Sequence, residues 1–246
     1  MTVRVSRVVA VHQPNFLPWL GFFDKLHRAD IFVLLDDAQF PRSGAGAWTN
    51  RVRMAVSGKP AWVTVPINRA ERGVQTIADV TVDDTQPWRR RILGTIRHSY
   101  AQAPAFRDVF PVIAELLENP TDRLAELNEA AIRRLASLLE LDDAKIVHSS
   151  ALGAAARGTQ LLIELTRAVG GDVYLSGDGS DAYLEPAKFS DAGVELRFQR
   201  FVHPTYPRGD GVDCRGLSAV DALMHCGAKG TARLLGGPAV AAPESR

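Results

Sequence analysis

The segment VVAVHQPNFLPWLGFFDKL sets a His-Gln pair between a compact β-branched run and an apolar run at helical spacing. Proteins built of alternating strands and helices present ligand groups at such strand-to-helix turns. His12 belongs to the residue type that exchanges protons near neutral pH, and Gln13 can both donate and accept hydrogen bonds. Pro14 and Pro18 restrict the turn, and Gly21 allows close approach of a backbone or a ligand. Asp36 and Asp37 close the next apolar run. Adjacent strand carboxylates point to opposite faces, so one of them can orient a base or a ribose but the pair cannot share a metal. Asn50 and Arg51 come next, and an arginine can clamp a phosphate or carboxylate through two parallel hydrogen bonds. The competing structural readings are a capping histidine at 12 and solvated turn acids at 36 and 37.

Further along, SGDGSDAYLEP follows the short run DVYLS. Gly177 and Gly179 could let backbone amides approach a phosphate. Ala182 stands where a full glycine fingerprint needs glycine, and Ser176 lacks the glycine-flanked elbow of an esterase nucleophile. No Walker A loop occurs. RFVHPTYPRGD holds His203 and Tyr206 in a proline-bounded loop, as substrate contacts or as structural groups. In WRRRILGTIRHSY, Arg90 and Arg97 share a helix face while Arg89 and Arg91 diverge; the run reads as a solvated surface, with a contact to an anionic ligand tail as the alternative. Cys226, inside an apolar helical stretch, reads as a small buried residue rather than a reactive thiol, and no disulfide to Cys214 is expected.

The elements that must position these groups alternate. Strands are predicted at Val8–Val11, Ile31–Leu35, Trp62–Ile67, Val80–Val82, Ala144–His148, Asp172–Leu175 and Glu195–Phe201. Helices are predicted at Leu17–Arg28, Trp88–Tyr100, Ala105–Leu117, Thr121–Leu139 with Thr121 as N-cap, Thr159–Val169 and Leu217–Cys226. Continuous apolar strands interleaved with helices point to an α/β, Rossmann-like three-layer sandwich with a mainly parallel sheet and a helical middle segment. One domain is expected over 1–236, with a disordered tail at 237–246. The 246 residues carry 29 Lys and Arg against 28 Asp and Glu, a net charge of +1 that gives no field for a polyanion, so nucleic acid is not an expected partner. No run reaches the length of a membrane span and no signal peptide opens the chain, so a cytoplasmic protein without membrane association is expected. Two cysteines cannot form a four-thiolate zinc site, and no dense ligand cluster calls for a metal.

Taken in order, HQPNFLPWLGFFDKLHRADIFVLLDDAQF, TNR, WVTVP, YLSGDGSDAYLEP, FQRFVHPTYP and LSAVDALMHCG resemble the WbqC-like protein family over nearly the whole chain. The resemblance implies a place in O-antigen, other sugar or natural-product biosynthesis. It singles out His12, Gln13, Pro14, Gly21, Asp36, Asn50 and Arg51, then Ser176, Gly177, Tyr183, His203, Pro204, Tyr206, Ser218 and Asp221. Two segments depart from the family pattern: PRSGAGAW lengthens the connection before Asn50, and His225-Cys226 stands where an asparagine-containing end is usual.

The expected function is that of a biosynthetic transferase moving an acyl or aminoacyl group onto an amine of a small molecule, an amino sugar or natural-product intermediate. In this scheme His12 is the general base and Asp36 orients it. Gln13 and Asn50 position the acyl carbonyl, while Arg51 and His203 hold an anionic end, and these side chains line one pocket. No cofactor is required beyond a thioester acyl donor, on CoA or on an acyl carrier protein that would be a partner. The role predicts a pH–rate limb at a histidine-like pKa. Two alternatives stand beside it. One is nucleotidyl transfer or adenylate-forming ligation, from a likeness of the strand–His-loop–helix element to nucleotidylyltransferases, although Phe22 or Phe23 occupies the place of their second histidine. The other is a non-catalytic binding protein of a pathway.

Overall fold

The computed structural model describes residues 6–40, 48–68, 74–180 and 183–237. Its centre is a five-stranded sheet in which every neighbouring pair is parallel. The strands are β1 (Val8–His12), β2 (Ile31–Leu34), β7 (Ile146–His148), β8 (Val173–Ser176) and β9 (Glu195–Phe198), in the order β7-β2-β1-β8-β9. Side-chain alternation divides each apolar run between the two faces. Ala10, Phe32, Leu34 and Leu175 enter one hydrophobic cluster, whereas Val9, Val11, Val33 and Tyr174 enter the other. This is why β1, β2 and β8 read as continuous apolar runs: both faces are covered.

Helix α1 (Leu20–Arg28) covers the first face, together with α2 (Trp88–Tyr100), α3 (Phe106–Glu118), α4 (Leu124–Leu138) and α7 (Ala219–Ala232). Helices α5 (Gly158–Ala168) and α6 (Pro186–Asp191) cover the second. The result is the three-layer, Rossmann-like sandwich expected.

Several boundaries move for physical reasons. Helix α1 starts at Leu20 rather than Leu17, because Leu17 sits at φ 41°, outside the helical region, and Pro18 follows it. The strand expected at Trp62–Ile67 belongs to a hairpin of β3 (Arg51–Val56) and β4 (Lys59–Thr64), closed by Ser57-Gly58 with φ of 50° and 74°. Positive φ at both central residues is the turn whose twist matches a two-residue hairpin. After Pro66, β5 (Ile67–Asn68) pairs with β6 (Thr81–Val82). Helix α4 is capped at Arg123, not Thr121. The Thr121 hydroxyl instead accepts from the Arg123 amide at 3.1 Å and donates to Glu126 at 2.6 Å. Helix α7 runs on past Cys226 through a kink at Gly227, φ 68°. The expected tail after Gly237 and most of the lengthened PRSGAGAW segment lie outside the described residues.

Candidate functional site

Strands β1 and β8 are neighbours, but the chain leaving β1 enters α1 on one face and the chain leaving β8 enters α6 on the other. Between such diverging loops an open α/β sheet keeps a crevice at its carboxyl edge. Here that crevice is a cleft of about 550 Å³, within the usual range for small-molecule sites of roughly 300–1,000 Å³. His12 and Gln13 line it from β1, Ser176, Gly177 and Ser180 from β8, and Leu161 and Leu162 from α5. Trp19, Trp48, Tyr174 and Tyr183 give it aromatic walls.

The loop carrying His12 is held from its backbone. Asn128 donates to the carbonyls of Pro14 at 2.8 Å and Thr49 at 2.7 Å, and Ser218 donates to Leu17 at 2.7 Å. The Ala219 amide donates to the Pro18 carbonyl at 2.8 Å. Gly21 is required by a close approach: a Cβ there would stand 2.4 Å from the Trp19 indole. That indole packs edge-on to Phe201, with ring centroids 5.4 Å apart.

The His12 Nδ1 lies 3.0 Å from the Gln13 carbonyl oxygen. A carbonyl can only accept, so Nδ1 carries the proton and Nε2 is left as an acceptor. Phe22 packs edge-on to the ring at 4.8 Å. Burial, then the positive charge of Lys25, push the His12 pKa down to about 3, with the Gln13 carbonyl opposing them. The ring is therefore neutral throughout the physiological range.

Lys25 is the residue the sequence reading missed. It is 3% exposed, lines the cleft and donates from Nζ to the Val11 carbonyl at 2.9 Å. Burial lowers its pKa to about 8, against the attraction of Asp178. The available signal was a charged pair, Asp24-Lys25, inside the buried stretch LGFFDKL. Asp24 has a different fate, accepting from Gln199 at 2.7 Å and pairing with Arg28 at 2.9 Å.

Of the sequence-selected residues, His12, Gln13, Gly21, Ser176, Gly177, Gly179 and Tyr183 share this cleft. The rest do not join them. Asp36 lines a separate depression of about 370 Å³ on the other side of Pro14, with Glu129 and His148. Its carboxylate accepts from the Ser149 hydroxyl at 3.0 Å, the Ser150 amide at 3.1 Å and the Ser150 hydroxyl at 2.7 Å. His148 lies between Asp36, at 3.4 Å, and Glu129, at 3.0 Å. The pairing of Asp36 with His12 is thus replaced by one with His148. Strand β2 has a neighbour on each side, and the Asp36 side chain turns toward β7 rather than β1. Burial alone would raise the Asp36 pKa, but the Ser150 and Ser149 hydrogen bonds outweigh it and lower it.

Asn50 is buried and donates to the Val65 carbonyl at 3.0 Å, and Arg51 stacks over Trp62 at 4.4 Å. Both belong to the hairpin region rather than to the cleft wall. His203 Nδ1 donates to the Pro204 carbonyl at 2.9 Å, and burial lowers its pKa. The Tyr206 hydroxyl donates to Asp221 at 2.7 Å, inside a buried network completed by Tyr100 at 2.8 Å and by Arg208. The expectation of one pocket for His12, Asp36, Asn50, Arg51 and His203 gives way to this separation. Cys214 and Cys226 are free. Among the described residues, no group of three or more His, Cys, Asp and Glu is placed to hold a metal ion, and no helix is long and apolar enough to cross a membrane.

The model of the WbqC-like protein family matches residues 13–233, a stretch that opens directly after His12. The chain is also similar to "Uncharacterized protein Rv1507c" of Mycobacterium tuberculosis (strain ATCC 25618 / H37Rv), 26% identical over 223 residues. Those residues cover 90% of this chain and 94% of that protein. No solved structure matches.

Proposed function

The chain belongs to the WbqC-like protein family, and we propose that it is a small-molecule transferase that moves an acyl or aminoacyl group from a thioester onto an amine. One observation carries the reading: a neutral imidazole, with Nδ1 committed to Gln13 and Nε2 accepting, stands in an aromatic-walled cleft at the β1/β8 crevice.

The amine lone pair attacks the acyl carbon, and the resulting tetrahedral adduct carries a positive, protonated nitrogen. His12 Nε2 takes that proton as the C–N bond completes. The C–S bond then breaks, and the imidazolium returns the proton to the departing thiolate. The proton moves onto Nε2 and off again within one turnover, so the imidazole begins and ends the cycle neutral. Gln13 stands beside His12 in the cleft and supplies an amide to the acyl oxygen. Ser176 is spent on the Ser180 hydroxyl, so its part is to shape the turn under the substrate. Tyr183, exposed at the rim, offers a ring to a sugar or pantetheine arm.

The test uses acyl-pantetheine thioesters with a panel of amino sugars and amino acids, reading free thiol and product mass. Amine-dependent thiol release by the wild-type protein, lost in His12→Gln, is the expected result. Thiol release at the uncatalysed rate across the panel removes the acyl-transfer reading. Magnesium-dependent consumption of a nucleoside triphosphate by the same protein would replace it with nucleotidyl transfer.

A further inference from the structure

We propose that the floor of the cleft, at Lys25, is a subsite for an oxyanion group of the substrate, a carboxylate or a phosphate. The inference rests on the cleft being the reactive site. Lys25 projects from a helix whose residues Leu20 to Leu26 are all buried. An ammonium carries three N–H donors. Among the described residues Lys25 uses one of them, toward the Val11 carbonyl at 2.9 Å. No carboxylate among the described residues stands within 4.0 Å of its Nζ.

The carboxylate that interacts with it electrostatically, Asp178, is turned to other work. Its two oxygens accept from the backbone amides of Arg200 at 2.6 Å and Phe201 at 2.8 Å. A buried cation with no anion in direct contact is costly, and the matching ligand is the one that neutralises it at contact distance. The ammonium is open to such a ligand, since it lines the cleft and lies 4.0 Å from where a Cβ on Gly177 would stand. His12, which shares the cleft lining, is neutral and neither competes for the anion nor repels it. Trp19, Tyr174 and Leu161 give the surroundings an apolar character, in which an ion pair is stronger than in water. Lys25 holds the carbonyl of the residue just before His12. A substrate delivered to His12 therefore carries its anionic group beside its reacting group.

Protein with labelled lysine side chains, titrated separately with inorganic phosphate, sodium acetate and sodium chloride, tests the subsite by NMR. A saturable shift of the Lys25 signal with phosphate assigns a phosphoryl group. A saturable shift with acetate alone assigns a carboxylate. Calorimetry with the effective anion should show at least about tenfold weaker binding to Lys25→Met. Lys25→Gln is the second variant should the methionine fail to fold. A Lys25 signal that moves with neither anion, or that moves equally with chloride, overturns the proposal. The titration reads binding alone and needs no turnover. Failure of the subsite and failure of the transferase reading are therefore separable.

Discussion

At position 12 the surroundings decide the chemistry more than the residue type does. A histidine read from sequence titrates near 6.5, but burial and the charge of Lys25 bring His12 to about 3. The expected histidine limb in the pH–rate profile is therefore displaced. No limb from His12 should appear between about pH 5 and 8, and one found there that vanishes in His12→Gln would refute the environment described. The folded state resists protonating His12, so its contribution to stability is present above 6.5 and declines as pH falls from there toward 3. Residue types were enough to find His12, Gln13, Ser176 and Gly177, because polar groups directly after apolar strands end at one sheet edge. They were not enough for Lys25. One charged residue in an amphipathic helix looks like surface until the packing of Phe22, Phe23 and Leu26 around it is known.

At the scale of elements, two arrangements make separate predictions. Trp19 lies across Gly21, at the mouth of α1. Gly21→Ala forces the indole from that position and should cost roughly 1–3 kcal/mol of stability, with ligand binding in the cleft weakened as well. Urea unfolding of the variant checks the first part, and an unchanged midpoint would contradict the contact. The loop after β7 forms the second arrangement. Burial alone would lower the His148 pKa, but Glu129 and Asp36 outweigh it and raise it. The stability it adds is fully present below 6.5 and is lost as pH rises through the raised value. His148→Gln should therefore lower the urea midpoint more at about pH 6 than at about pH 8. Equal losses at both would show that the ion pairs with the carboxylates are not what matters. The partnership of Asp36 with Ser149, Ser150 and His148 was not legible in the sequence, since it depends on β7 joining β2 across more than a hundred residues.

For the molecule as a whole, the alternation of apolar strands and helices was legible and gave the sandwich, because burial on both faces leaves a composition signal. Strand order was not, and strand order decides which loops meet. Sequence placed His203 in one pocket with His12, but the chain after β9 instead docks on α7 through Asp221, which is 0% exposed. Tyr100 from α2, Tyr206 and Arg208 converge on that carboxylate. Asp221→Asn keeps the shape but leaves Arg208 buried with less compensation, and should cost about 3–5 kcal/mol. A denaturation midpoint within error of wild type would deny the network its role in joining α2, α7 and the 199–217 segment.

The most direct measurement is amine-dependent thiol release by wild type, His12→Ala and His12→Gln, paired with the thermal midpoint of each preparation. If Nε2 takes the proton, kcat/KM falls by at least ~10²-fold in both variants with folding intact. Glutamine keeps a hydrogen bond but cannot accept the proton. Wild-type turnover in His12→Gln, with or without a loss of stability, would contradict the claim that Nε2 of His12 takes the proton.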